Sequence, residues 1–285
     1  MMRSRLLQYV DDKLLSKVAI HFSRPRNITS DVTNILYCHD LANDGENRIL
    51  LNEGWKAFDH FVFVSHWQRD QYILLFKIPY SKTTVIPNAV EQFPDGEKDF
   101  DGPLRFIYHT TPHRGLHIAY SVFDELTKKH SRDMILEVFS SFAIYGWKER
   151  DEQYQYLYHK IATHPNMVYH GSQPNSVVRN ALQNSHVFLY PSIWPETSCI
   201  ALIEAIKSGC VSIHSNLGAL PETAESKTMM YDFTENEYDH AQRCFDTCDA
   251  YLKTTFQQPV YINNADTHSI EKFTHKWTML LERLI

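Results

Sequence analysis

A chain of 285 residues has room for one large or two modest domains. Its formal net charge of −6 argues against a protein that tracks nucleic-acid phosphates. No run of about 18 apolar residues occurs, so no membrane-spanning helix is expected. Residues 1–20 are at best amphipathic, with Asp11 and Asp12 breaking the apolar positions, and no leader peptide is expected there.

The first part of the chain reads as short strands set between polar stretches. Lys17–Ser23, Asn34–His39 and Phe61–Ser65 are apolar runs of strand length, the last rich in Phe and Val. Asp40–Ala57 between them is polar and partly helical in pattern, and Gln68–Phe76 reads as a helix. Thr84–Ile86 is a short strand stopped by Pro87 and Asn88. Residues 91–103 are acidic, carry Pro and Gly, hold almost nothing to bury, and read as a linker. The Asp99-Phe100-Asp101 triplet inside it has the spacing of a metal-binding D-x-D, but its place before a strand makes a solvated turn the stronger expectation.

Beyond the linker the alternation becomes regular. Strands are expected at Leu104–His109, Ile135–Phe139, Met167–His170, Val187–Tyr190 and Val211–His214. Helices are expected at Gly115–Lys129, Gln153–Thr163, Asn175–Asn184, Ser198–Lys207, about Glu237–Thr254 and about Ser269–Ile285. Strand–helix alternation implies α/β architecture with doubly wound parallel sheets. Three parts are expected: a short first domain over 1–95, a second over 96–268, and a C-terminal helix over 269–285 that crosses back to the first. Five cysteines cannot all pair, and Cys244 and Cys248, four apart on a helix, are expected to be buried thiols. That usage fits a reducing, cytoplasmic setting.

The chemistry concentrates in YPSIWPETSCIALIEAIKSG at 190–209. A strand ends at Pro191, a turn follows, and a helix begins near Ser198-Cys199-Ile200 with free N–H groups suited to a phosphate. Ligands of open parallel sheets sit beyond the carboxyl ends of the strands, where this turn lies. Glu196 and Glu204 are eight positions apart, roughly 12 Å at helical rise. Carboxylates at that spacing can accept hydroxyl hydrogen bonds from both ends of a sugar nucleotide. Apolar neighbours fill the rest of the helix, so Glu204 needs a reason to be there.

This segment resembles the E-x7-E element of retaining glycosyltransferases of the GT-B fold, family four in particular. FIYHTTPHRGLHIAYSVFDEL at 106–126 is similar to that family's strand, loop and helix, and FVFVSHWQ with VIPNAVE to the end of its first domain. The resemblance implies two Rossmann-like domains, the first of them shortened. It implies a metal-independent transfer of sugar, with retention, from a nucleotide-diphosphate sugar (UDP- or GDP-linked) to an acceptor hydroxyl. By the same resemblance Glu196 binds the transferred sugar, Glu204 the ribose, Arg114 the diphosphate, and His39 in YCHD the donor sugar. Thr110, Thr111, Thr197, Ser198, Cys199 and Ile200 are further donor contacts. Gly171 and Gln173 mark the region of the base, and Asp40, Ser65 and Trp67 lie on the acceptor side.

Thr197-Ser198-Cys199 stands where the family has Gly-Phe-Gly, the usual second basic residue is missing, and the usual Gly-rich front loop is not recognisable. Neither a cofactor nor a bound metal is implied. The spacing of His109, His113 and His117 is interrupted by Pro112, which speaks against one metal-binding helix face. The acceptor is a glycan, a lipid-linked or another hydroxyl compound, with at most peripheral membrane contact. Three alternatives stay open: a binding or scaffold protein that kept the donor lobe without turnover, a transferase acting on nucleic-acid bases, and a sugar-nucleotide epimerase.

Overall fold

The computed structural model describes residues 2–24, 28, 31–94, 96, 98–254 and 267–285. These fall into two compact units. Unit 1 takes in Met1–Glu91, Glu196–Ile200 and Asn263–Ile285, and unit 2 takes in Gln92–Pro195 and Ala201–Ile262. Both are α/β, each around a parallel sheet of the Rossmann-like kind.

Unit 1 holds β1 (Val18–Phe22), β2 (Thr33–Cys38), β3 (His60–Phe63) and β4 (Thr83–Val85), parallel and in that order across the sheet. Alternate side chains of a strand face opposite sides, and both faces here are covered. Ile35, Tyr37, Val62 and Val64 pack with Leu6 and Val10 from the N-terminal segment. The same cluster contains Phe273, Trp277, Leu280 and Leu281 of the C-terminal helix α10 (Ile270–Leu284). Leu36, Cys38, Phe61 and Phe63 face the other way, onto Phe58, Tyr72 and Phe76. Tyr72 and Phe76 come from α3 (His66–Phe76), which connects β3 to β4. Two short helices precede β1, α1 (Met2–Tyr9) and α2 (Asp12–Leu15), where the sequence showed only weak amphipathicity. Asp40–Ala57 contains two 3-10 turns, at Gly45–Leu50 and Gly54–Ala57.

Unit 2 is a six-stranded parallel sheet. Its strands are β5 (Leu104–Tyr108), β6 (Met134–Val138), β7 (Met167–Tyr169), β8 (Val187–Tyr190), β9 (Val211–Ser215) and β10 (Met229–Tyr231), ordered β10-β9-β8-β5-β6-β7. From β5 the chain winds outward through β6 and β7, then returns to place β8 on the other side of β5. The order therefore reverses between β5 and β8. The connecting helices are α4 (Leu116–Lys129), α5 (Gln155–Thr163), α6 (Asn175–Asn184), α7 (Ile200–Lys207) and α8 (Leu220–Ala224), and α9 (Glu237–Leu252) follows the last strand. All five cysteines are buried thiols, Cys244 and Cys248 among them.

The linker reading of 91–103 needs correction. Phe93 is buried with the Arg179 guanidinium stacked 3.8 Å from its ring centroid. Lys98 is buried too, its ammonium donating to the carbonyls of Leu182 (2.9 Å) and Ser185 at the end of α6. His186 donates to the Asp99 carbonyl, and its ring lies 4.6 Å from that of Phe100. A lysine stem and two aromatic rings give this stretch enough to bury once α6 is beside it. The helix expected from Ser198 begins at Ile200, and the helix expected from Gln153 begins at Gln155 after a 3-10 turn over Lys148–Tyr154.

Candidate functional site

Open parallel sheets bind ligands at the carboxyl ends of the strands where the strand order reverses. In unit 2 that point lies between β5 and β8, and the loops leaving those strands are His109–Gly115 and Pro191–Pro195. Thr110 and Thr111 follow β5, and their hydroxyl oxygens are buried without a hydrogen-bond partner in the protein. The Ser140 hydroxyl, after the neighbouring β6, is buried in the same condition. Leaving a buried polar group unpaired costs about 1–3 kcal/mol. A cluster of them at strand ends is what a polar ligand satisfies. Burial drives the His109 pKa down to about 3, against a hydrogen bond to the Ala201 backbone, so its ring is a neutral wall at physiological pH.

Arg114 closes a 3-10 turn, Pro112–Arg114, that is followed directly by α4. Gly115 behind it has φ +113°, and a Cβ there would stand 2.1 Å from the Pro191 carbonyl oxygen. Only glycine permits both that conformation and that approach. The two switch-point loops are thereby in backbone contact, and the Ile193 N–H donates to the Arg114 carbonyl at 3.4 Å. His113 adds side-chain contact: its ring stacks on Phe142 at 5.1 Å and 17°, and meets Trp194 edge-on at 5.0 Å and 79°.

On the β8 side, Ser192 is buried, donates to the Trp194 carbonyl, and its own carbonyl accepts from the Ser215 hydroxyl, both at 2.9 Å. Ile193 and Trp194 are exposed between these anchors. Glu204 lies in α7 and is only 3% exposed. Asn175 donates to its Oε1 at 3.3 Å, and the Arg179 guanidinium is 3.6 Å from the same oxygen. Buried carboxylates persist when paired and hydrogen-bonded, and this one has both supports from α6. Gly171, with φ +65°, turns the chain after β7, and Gln173 there is exposed and donates to the His170 carbonyl.

The remaining expected residues belong to unit 1. Glu196, Ser198 and Cys199 are buried, and Ile200 packs against the cluster that contains Tyr37 and Trp277. The Thr197 hydroxyl donates to the His39 carbonyl at 2.9 Å, and Asn88 donates to the Ser198 carbonyl at 3.1 Å. These two bonds hold 197–198 out of the helix, which is why α7 starts later than expected. His39 lies 4.2 Å from the Tyr37 ring, its Nε2 is unpartnered, and burial lowers its pKa to about 4. Burial raises the Asp40 carboxyl, with Asp44 adding to the effect and Arg24 opposing it. Ser65 spends its hydroxyl accepting from the Gln68 N–H as the cap of α3, and Trp67 is half-buried in the first turn of that helix.

Unit 1 thus brings His39, Thr197 and Ser198 together, and unit 2 sets Thr110, Thr111 and Arg114 in the loop after β5 and Glu204 in the helix that follows the adjoining β8. His109, His113 and His117 turn to different partners, Phe188, Phe142 and Glu237. Sequence reasoning passed over Ser140, Asn175, Arg179 and Trp194. The Ser140-Ser141 pair just after β6 was the readable signal for one of them. The Arg179–Glu204 pairing joins two helices and leaves no trace in local spacing.

Residues 101–242 match the family described as Glycosyl transferases group 1. This segment is a group 1 glycosyltransferase domain. Among curated proteins, the chain is 23% identical over 234 residues to a phosphatidylinositol N-acetylglucosaminyltransferase subunit of Arabidopsis thaliana, which covers 79% of this chain and 48% of that protein. It is likewise 23% identical over 230 residues to the gpi3 subunit of the Schizosaccharomyces pombe phosphatidylinositol N-acetylglucosaminyltransferase, covering 79% and 47%. The chain therefore spans about half the length of these relatives. Among solved structures it resembles a glycosyltransferase from Rickettsia africae ESF-5 (TM-score 0.66, 15% identity, 99% of this chain and 80% of that one). It also resembles Anabaena HepE in complex with UDP-glucose (TM-score 0.67, 12% identity, 89% and 73%). The two units of the chain have the Rossmann-like parallel sheets of GT-B structures. Among the described residues, no helix is long and apolar enough to cross a membrane.

Proposed function

We propose that the chain transfers a sugar from a nucleotide-diphosphate sugar to an acceptor hydroxyl, with retention at the anomeric carbon and without a metal ion. The observation that carries this reading is the switch point of unit 2. There, unpartnered buried hydroxyls of Thr110, Thr111 and Ser140 and the Arg114 turn adjoin the loop leading to Glu204, inside the segment that matches the family. In this reading Arg114 and the N–H groups opening α7 balance charge on the departing diphosphate. Glu204, held by Asn175 and Arg179, accepts from the ribose hydroxyls. Glu196 and His39 serve the transferred sugar. No nucleophilic side chain is assigned; the departing phosphate takes the proton from the acceptor as it attacks from the same face.

The names of the curated relatives set the first substrates to try, an N-acetylglucosamine donor with phosphatidylinositol as acceptor, and peripheral membrane contact follows from that choice. The test is donor hydrolysis and transfer with a panel of nucleotide sugars, for the wild type and Glu196→Ala. Turnover should be lost in the variant while its fold and its nucleoside-diphosphate binding remain. Wild-type turnover in Glu196→Ala refutes the role of that residue. Binding of nucleotide sugars with no turnover on any acceptor favours a binding protein instead.

A further inference from the structure

The ring of His113 sits between two loops that belong to different strands. Phe142, from the segment after β6, stacks on one face, and Trp194, from the segment after β8, meets it edge-on. Aromatic contacts of this geometry add specific attraction beyond burial. Phe142 is itself fixed from below. Its N–H donates to Asp151 at 2.9 Å, and the same carboxylate accepts from the Tyr158 hydroxyl at 2.7 Å. The next residue after His113 is Arg114, whose carbonyl receives the Ile193 N–H.

We propose that His113 is a positioning residue for the donor diphosphate: clamped between Phe142 and Trp194, its ring fixes the turn from which Arg114 reaches the phosphates. The inference rests on the function proposed above and goes beyond it by naming what sets the aim of the cation. A cation on a long side chain is worth most when its backbone is already in place, because ordering it on binding lowers affinity. The proposal assigns the positioning to the two ring contacts, so a phenyl ring should substitute for the imidazole.

The experiment is calorimetric titration of the full chain with uridine diphosphate and uridine monophosphate, for the wild type, His113→Ala, His113→Phe and Trp194→Ala. His113→Ala should weaken the diphosphate about tenfold and the monophosphate little, so that the ratio between them collapses. His113→Phe should restore the ratio to within about twofold. A general loosening of the fold would weaken both ligands together and leave the ratio unchanged. An unchanged ratio in His113→Ala, or a ratio as poor in His113→Phe, overturns the clamp. Should His113→Ala fail to fold, Trp194→Ala decides by the same ratio, since it removes one side of the clamp from an exposed position. A wild type that binds neither uridine nor guanosine diphosphate removes the donor reading, and the clamp falls with it. Diphosphate binding that ignores these substitutions overturns the clamp alone.

Discussion

Replacing Gly115 by alanine tests the contact between the β5 and β8 loops most directly. Its φ of +113° lies outside the small left-handed region open to L-residues, and holding alanine there costs about 1–3 kcal/mol. The added methyl would stand 2.1 Å from the Pro191 carbonyl oxygen, a backbone atom that cannot swing aside. Relief requires the two loops to part, a repacking of the kind that costs about 1–3 kcal/mol. Parting them also loses the Ile193 to Arg114 hydrogen bond, worth about 1 kcal/mol. Alanine's lower freedom in the unfolded chain returns about 0.4–1 kcal/mol. Gly115→Ala should therefore destabilise unit 2 by about 2–7 kcal/mol, and it should weaken uridine diphosphate more than uridine monophosphate because Arg114 moves with the turn. Scanning calorimetry resolves the two units better than a single optical probe, since a chain of two units need not unfold in one step. A melting profile within about 0.5 kcal/mol of the wild type, with diphosphate affinity intact, would refute the reasoning.

Two further outcomes follow from buried charges. Desolvation raises the Asp151 carboxyl, but hydrogen bonds from Ser141, the Phe142 N–H and Tyr158 outweigh it and hold the pKa below its ordinary value. A carboxylate depressed on folding stabilises above its unfolded pKa, near 4, and loses that contribution as pH falls through the folded value. The stability gap between wild type and Asp151→Asn should be flat above about pH 5 and close below about pH 4, as urea titrations at a series of pH values will show; a gap that widens on acidification contradicts it. Lys98→Met should remove the ammonium's hydrogen bonds to the last carbonyls of α6 and cost about 2 kcal/mol, read as a lower melting temperature of unit 2. An unchanged midpoint would mean that the desolvation penalty of the ammonium cancels its hydrogen bonds.

Where local pattern and tertiary packing agree, the sequence was easy to read. Val187–Tyr190 and Asn175–Asn184 are observed as expected, because a four-residue apolar strand and a ten-residue polar-apolar helix each carry their period within themselves. The front of the chain was harder. Leu6 and Val10 acquire their meaning only when Phe273 and Trp277, more than 250 positions away, cover the same face of β2 and β3. Met229–Tyr231 is a three-residue edge strand, too short to show alternation. Lys98 and Asp151 both sit among charged residues that look solvated, and each is buried by a partner that no local spacing announces.

The same distinction separates the parts of the candidate site. Glu204 stood out because one acid in an apolar helix conflicts with its surroundings, and a conflict of that kind is visible in one dimension. Arg114 stood out through resemblance, because the strand, loop and helix around its Arg-Gly are a local pattern similar to the family's. His113 carries no such mark. Its neighbours Phe142 and Trp194 are brought to it by the strand order, which puts β6 and β8 on the two sides of β5. Any residue in the loop after β5 is then flanked by the loops after both of its neighbours, and an aromatic ring at that place can touch both. The reversal of strand order thus does more than open a place for a ligand. It supplies the two walls against which the loop that grips the ligand can be braced, and the tenfold effect expected at His113 measures how much that bracing is worth.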